Sequence, residues 1–316
     1  MLIVIWRARN LALATGIWLL PAVAQNPDFR AETRIVEVAI VARDAQDAAV
    51  EGLAADDFQV FDNGVEQKIQ SFDKLWDPPR APNGLPIGLP PKRPTVIVID
   101  RAGQTALEEL AEMLHELPQT VDRIAIFALG NELKMVHDFS PFTGALRTAV
   151  LEYEPKQTTV PEPNWLAWRL KMIQQLAHDM KDMPGEKNMI WISAGFPGPA
   201  DLQEVAGTVR ELAAARVILY PVDTRGFLAT GKAFENVDAM RELVGMTGGR
   251  VYYNSFDIAG LLRQAIDDSR DAYMLSYAPS NYEKDGSVHE VKLKLKTERK
   301  GVELHYRPAY VADGGK

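Results

Sequence analysis

Cysteine is absent from all 316 residues. That excludes thiol catalysis, thiolate metal sites and redox motifs, and it leaves the fold to be held by its core without disulfides. Histidine is scarce. His115, His137, His178, His289 and His305 are the full set, no two of them stand at metal-ligand spacing, and His-Glu-x-x-His does not occur. Basic surplus is missing too. Lys and Arg number 35 against 43 Asp and Glu, a formal net charge of −8. Nucleic-acid binding needs clustered positive charge, and the short Lys-rich stretch 292–296 is the one local exception. Phosphate-cradling loops are also lacking. "ALGNE" and "GMTGGR" contain glycine but match neither G-x-G-x-x-G nor a Walker loop, and Gly248-Gly249 read as the end of a helix Val237–Met246.

What remains is an ordinary globular composition, 47% hydrophobic and 25% charged, long enough for two domains or for one domain and a smaller module. The first stretch has its own grammar. Arg7 and Arg9 precede the apolar run Leu11–Leu20, then Pro21 and "AVA". A charged n-region, a short h-region and a small-x-small site form a secretory signal peptide. It spans residues 1–24, with cleavage expected after Ala24. An uncleaved membrane anchor is the alternative, although a span needs about 20 apolar residues. No cysteine follows the h-region to carry a lipid. The mature chain has 33 basic and 43 acidic residues, so its net charge is −10. The expected location is periplasm, cell surface or medium, with membrane contact only through that first segment.

Three further grammars follow. Residues 25–78 form an N-terminal β segment. "RIVEVAIVARD" places Val36, Val38, Ile40 and Ala42 on one strand face, but Ile35 and Val41 spoil the alternation on the other. Asn63-Gly64 between alternating apolar residues signals a hairpin, because both turn positions must accept positive φ. Residues 79–94 are a Pro/Gly-rich linker. From Thr95 to about residue 272, short apolar runs alternate with amphipathic helices. The runs are Val96–Ile99, Ile124–Leu129, Met189–Ile192, Val217–Val222 and Val251–Tyr253. This predicts an α/β domain, a mostly parallel sheet with helices on both faces. "LKMVHDFS" follows "RIAIFALGNE" too closely for a crossover helix and predicts an antiparallel hairpin at a sheet edge. Residues 273–316 return to β grammar, with Val291, Leu293 and Leu295 facing in and Lys292, Lys294 and Lys296 facing out. The two β segments are each too small to stand alone. The expectation is that 273–316 pairs with 33–76, with the α/β domain inserted between them.

Several stretches together carry a resemblance: "GLAADDFQVFDNGVEQKIQSF", "RPTVIVID", "RIAIFALG", "KNMIWISAGFP", "RVILYPVDTRG", "TGGRVYYN" and "AYMLSYAPSNYEKDGSVHEVKLKLK". In order and spacing, from about residue 33 to 311, the chain resembles the secreted von Willebrand factor A-related proteins abundant in Acidobacteria. The resemblance implies a doubly wound von Willebrand A-type fold with a central, mostly parallel sheet, beside which the paired terminal β segments are expected to form a small β-sandwich. It also implies protein–protein adhesion, often through a bound Mg²⁺ in a metal-ion-dependent adhesion site.

That family site takes Asp-x-Ser-x-Ser after the first strand, a Thr from a later loop and a second Asp after the strand that here is "NMIWIS". Asp100 matches the first aspartate. Ala102 and Gln104 replace both serines, and Ala194 stands near the second aspartate. Thr143 or Ser140 is the counterpart of the threonine, on a loose loop match. The candidate metal ligands are therefore Asp100 with Gln104, Thr143 and Asp223, for Mg²⁺ or Ca²⁺. The competing reading is a lost site, with no cofactor, in which Asp100 caps the turn into the next helix and Asp223 starts a loop.

Ser193 in "WISAGFPG" lacks the G-x of a nucleophile elbow and has no evident histidine. In 161–183, Trp165, Met172, Ile173, Leu176 and Met180 make one helical stripe, with Trp168 off its centre. This is a core-facing helix or, through Trp168 with Phe142 or Pro163, an aromatic contact patch. The expected function is an exported, non-catalytic protein-binding protein with an unknown protein partner and no nucleic acid. Its contact residues would be Arg101, Gln104, Phe142, Trp168, Phe196 and Arg225, on loops 100–104, 139–144, 193–198 and 223–231 and on the 161–183 helix. The alternatives are a metal-assisted hydrolase using Asp100 and Asp223, and a structural cell-envelope component.

Overall fold

The computed structural model describes residues 35–75, 93–117, 123–155, 165–195, 202–226, 232–270, 272–280, 286–296 and 301–312, all within one compact unit. The expected signal segment 1–24, most of the expected linker, Pro163 and Phe196 lie outside the described residues.

The centre is a mixed α/β body. Strands β5 (Thr95–Asp100), β6 (Ile124–Leu129), β7 (Leu133–Ser140), β8 (Lys187–Ser193) and β9 (Val217–Asp223) form one sheet in the order β7-β6-β5-β8-β9. All neighbours are parallel except β6 and β7, the antiparallel pair at the edge. Among the described residues six α-helices accompany it: α1 (Gln104–Glu116), α2 (Thr143–Leu151), α3 (Trp165–Met180), α4 (Leu202–Ala214), α5 (Lys232–Gly245) and α6 (Ile258–Arg270). The continuous apolar runs resolve into two alternating sets. Ile97, Ile99, Ile126, Ile190 and Ile192 face α1, α2 and α6. Val96, Val98, Ala125, Met189 and Trp191 face α3, α4 and α5. A strand covered on both sides has no reason to alternate in polarity.

Val251–Tyr253 is not a sixth strand. It makes a single parallel bridge, Val222 to Tyr252, held by Asp223 N–H to Tyr252 O and Tyr252 N–H to Pro221 O. Pro221 has no N–H to extend a ladder on that edge of β9. Two glycines explain the tight entry into this segment. Gly248 has φ +86°, and a Cβ on Gly249 would lie 2.0 Å from the Leu219 carbonyl oxygen.

Two four-stranded sheets hold the rest. One runs β12 (Glu303–Tyr306), β1 (Val36–Arg43), β10 (Tyr273–Tyr277), β4 (Ile69–Lys74), and the other β13 (Ala309–Val311), β11 (Val288–Leu295), β2 (Phe58–Asp62), β3 (Val65–Gln67). Strands from both ends of the chain pair directly, β1 with β10 and β2 with β11. Asn63 and Gly64 turn β2 into β3 with φ of 47° and 79°, both in the left-handed region that this two-residue turn requires. Val36, Val38, Ile40, Phe58, Val60, Leu275 and Val291 share one core between these two sheets. Ala39 and Val41, on the reverse of β1, bury into the α/β core instead. That double burial accounts for Val41 in "RIVEVAIVARD", whereas Ile35 is exposed.

Polar ties reinforce the joint. Asp268 on α6 pairs with Arg43 of β1 and accepts from Tyr252 Oη at 2.5 Å, and Arg250 reaches Asp47 with a 2.6 Å contact. Deeper in the β region, the Asp62 carboxylate is fully buried. It lies 2.6 Å from His289 Nδ1 and accepts from Tyr277 Oη at 2.9 Å and Tyr310 Oη at 2.7 Å. Burial and the Asp62 charge push the Tyr277 hydroxyl well above its ordinary range, so it stays a donor. One carboxylate thus joins β2, β10, β11 and β13. Asp62→Ala leaves the buried Tyr277 and His289 and the half-buried Tyr310 without their shared acceptor and is expected to cost about 3–5 kcal/mol in urea unfolding. A cost near that of an exposed substitution would contradict this role.

Candidate functional site

The carboxyl ends of β5, β8 and β9 finish in register, Asp100 beside Ser193 and Ser193 beside Asp223. Ligands of open α/β sheets bind along this edge. Asp100 is 1% exposed, and its carboxylate is already engaged. Oδ1 accepts from Arg169 Nε at 2.9 Å, and Oδ2 accepts from Trp191 Nε1 at 3.2 Å. Ser193 Oγ lies 3.1 Å from Oδ2 and 2.9 Å from the Gly195 carbonyl, and its one proton serves one of them at a time. Burial pushes the Asp100 carboxyl up from its ordinary value, while the Arg169 charge and the hydrogen-bond donors pull it down.

Asp100 therefore does not cap α1. The N-cap residue is Gly103, which has no side chain to bond the helix end. The carboxylate turns inward because Arg169, 2% exposed on α3, offers it a full opposite charge. Arg169 stands four residues after Trp165 and four before Ile173, on the apolar stripe of this helix. A charge on such a stripe is a sequence signal of a buried partner, and it is the functional residue that the motif comparison passes over.

Arg101 follows with φ 53°, left-handed for a residue with a side chain, a conformation that costs of order 1 kcal/mol. Its Cζ lies 4.3 Å from the Trp165 ring centroid, and Arg169 Cζ lies 5.3 Å from the same ring. Asp100, Arg101, Tyr153, Trp165, Trp168 and Arg169 line one small pocket of about 30 Å³. Burial, and secondarily the Asp100 charge, push the Tyr153 hydroxyl up, so it remains protonated. Arg169 Nη1 is buried and has no hydrogen-bond partner among the described residues.

The other candidates lie apart from this pocket. Gln104 is exposed and bonds Glu108 at 3.2 Å. Thr143 is buried at the start of α2, behind Phe142, which is 66% exposed. Ser140 Oγ accepts the Phe142 N–H at 3.1 Å. Asp223, 1% exposed, accepts from Arg225 through the backbone N–H at 3.0 Å and Nε at 2.9 Å, which is the loop-starting arrangement. Trp168 also borders an open groove with Lys171, Gln174 and Glu204.

A divalent cation fits this set poorly. Hard cations take oxygen ligands in near-octahedral array, whereas both Asp100 oxygens already accept donors and Ala102 and Gln104 supply no hydroxyl. Among the described residues no group of three or more His, Asp or Glu is placed to hold a metal. Ser193 is fully buried, and the carboxylate beside it, Asp100, already accepts from Arg169 and Trp191.

No protein-family model and no curated protein matches the sequence. Solved structures share a distant likeness over about half of the chain. Proximal thread matrix protein 1 from the mussel byssus has a TM-score of 0.42 at 12% identity over 56% of this chain, which spans 48% of that protein's length. An aerotolerance-related membrane protein from Bacteroides fragilis has 0.41 at 8% identity, over 56% of this chain and 98% of its own. The conserved protein BatB from Bacteroides thetaiotaomicron has 0.39 at 11%, over 55% and 97%. The reading of this chain rests on its own residues.

Arg169→Ala strands the Asp100 charge and is expected to cost about 3–5 kcal/mol at neutral pH. Without the guanidinium the carboxyl rises further. A carboxyl with a folded pKa above its unfolded value keeps a proton that the unfolded chain has released. Stability then falls as pH rises from 3.8 through the folded value and returns on acidification. Urea unfolding at about pH 5 and about pH 7.5 should therefore show a smaller deficit at the lower pH. A deficit independent of pH would mean that Asp100 is not the group left charged.

Proposed function

We propose that this chain is an exported, non-catalytic protein-binding protein of the von Willebrand A-related type. In this reading a small β-sandwich from both ends of the chain carries the α/β domain, and the metal-ion-dependent adhesion site has degenerated. The observation that carries the proposal is the Arg169–Asp100 pair at the carboxyl end of the sheet, an internal cation beside the aspartate that matches the family's metal ligand. Asp223 is likewise held by Arg225, so the carboxylates that a metal-assisted hydrolase would need are each engaged. What stays at the rim suits contact more than chemistry: Arg101, Trp165, Trp168 and, on the next helix start, Phe142. Aromatic residues and arginine are the side chains that interfaces favour.

Export is supported by the pattern of residues 1–24, and no helix among the described residues is long and apolar enough to cross a membrane. The test is metal response of the mature chain, residues 25–316. A ligand that binds only the folded state raises the melting temperature with its concentration. Mg²⁺, Mn²⁺ and Ca²⁺ are expected to leave the melting temperature where chelator leaves it. Stoichiometric bound metal, with a rise abolished by Asp100→Ala, would overturn the proposal.

A further inference from the structure

Arg169 brings more donors to the pocket than Asp100 takes up. Its Nε is spent on Oδ1, but Nη1 is buried with no partner among the described residues. A buried guanidinium N–H left unpaired costs the desolvation of a charged donor, and native structures rarely tolerate that without a reason. Charge points the same way. Of the titratable groups lining the pocket, Asp100 cancels one arginine, Tyr153 stays neutral, and the charge of Arg101 is left over.

The pocket's size and shape limit what can enter. A cavity of about 30 Å³ exceeds what a single water molecule needs and suits a small polar group. Both guanidinium groups lie against the Trp165 ring. Arg101 is held over that ring by a left-handed backbone, a kind of strain that accumulates at binding sites. A planar fork of N–H donors matches a planar, two-oxygen acceptor.

We propose that this pocket binds one carboxylate group, whose oxygens accept from Arg169 Nη1 and Arg101. The proposal rests on the protein-binding reading above and gives it a chemistry, in which the partner presents an acidic side chain where Asp100 and Arg169 have already neutralised each other. A free small carboxylate has the same chemistry, and the experiment separates the two sources.

The mature chain in chelator would be titrated at constant ionic strength, following the emission of its tryptophans. The probes are propionate, propionamide, the blocked peptide acetyl-Gly-Asp-Gly-amide and its Asn counterpart. The expected result is saturable propionate binding with Kd on the order of 1 mM and no response to propionamide. Arg101→Gln, at an exposed position, should weaken it about tenfold, the scale of one charged hydrogen bond. Preference for the Asp peptide over both propionate and the Asn peptide assigns the site to a protein partner. Equal or tighter binding of propionate assigns it to a free carboxylate.

No response, a response that propionamide reproduces, or indifference to Arg101→Gln would overturn the proposal and leave the pocket to a water molecule. Such a failure with an unmoved melting temperature in Mg²⁺ removes the carboxylate site alone. A metal-dependent rise removes the protein-binding reading along with it.

Discussion

A carboxylate at the end of a central strand, shut off from water, cannot remain charged without a compensating partner. Desolvation disfavours its charge by several kcal/mol, and the fold offers two ways out, a bound cation or a cationic side chain. Here the side chain is present. Arg169 arrives from α3, and its Nε closes on Asp100 while Trp191 and Ser193 supply the remaining donors. The pair sets the face that α3 turns toward the sheet. It also places Trp165 under Arg101 and leaves one guanidinium edge in the small pocket. The geometry of this end of the molecule follows from satisfying a single charge.

The same logic of buried charge recurs away from the sheet's carboxyl end. Asp62 gathers His289, Tyr277 and Tyr310 from strands that lie far apart in the chain. Asp268 ties α6 to Arg43 of β1. Strand β1 is buried on both faces over Val38–Ala42, with Ile40 turned to one core and Val41 to another. The β region and the α/β body therefore share a wall, and the polar ties fix the register in which they share it.

Much of this was legible along the chain. Continuous apolar runs between amphipathic stripes announce the mostly parallel sheet, the short connection after Leu129 announces the edge hairpin, and Asn63-Gly64 announces the turn from β2 into β3. Three features escaped for physical reasons. Val251–Tyr253 has strand composition, but its pairing is limited by Pro221 in the neighbouring strand, which no local pattern reveals. Asp100 looked like a cap because its true partner lies 69 residues away. Arg169 was visible only as a charge on an apolar stripe, and such a charge says that a partner exists without saying which one. Phe142, Trp168 and Arg225 were singled out as surface contacts; Phe142 is exposed, Trp168 half-buried, and Arg225 is spent largely on Asp223.

The central claim is that Arg169, and not a metal ion, compensates the charge of Asp100. Crystals of the mature chain grown with Mg²⁺ and diffracting well enough to tell a cation from a water molecule test it most directly. The account predicts the Arg169 guanidinium within hydrogen-bond distance of Asp100 and no cation on its oxygens. A cation at about 2.1 Å from an Asp100 oxygen, with Arg169 swung away, would contradict it.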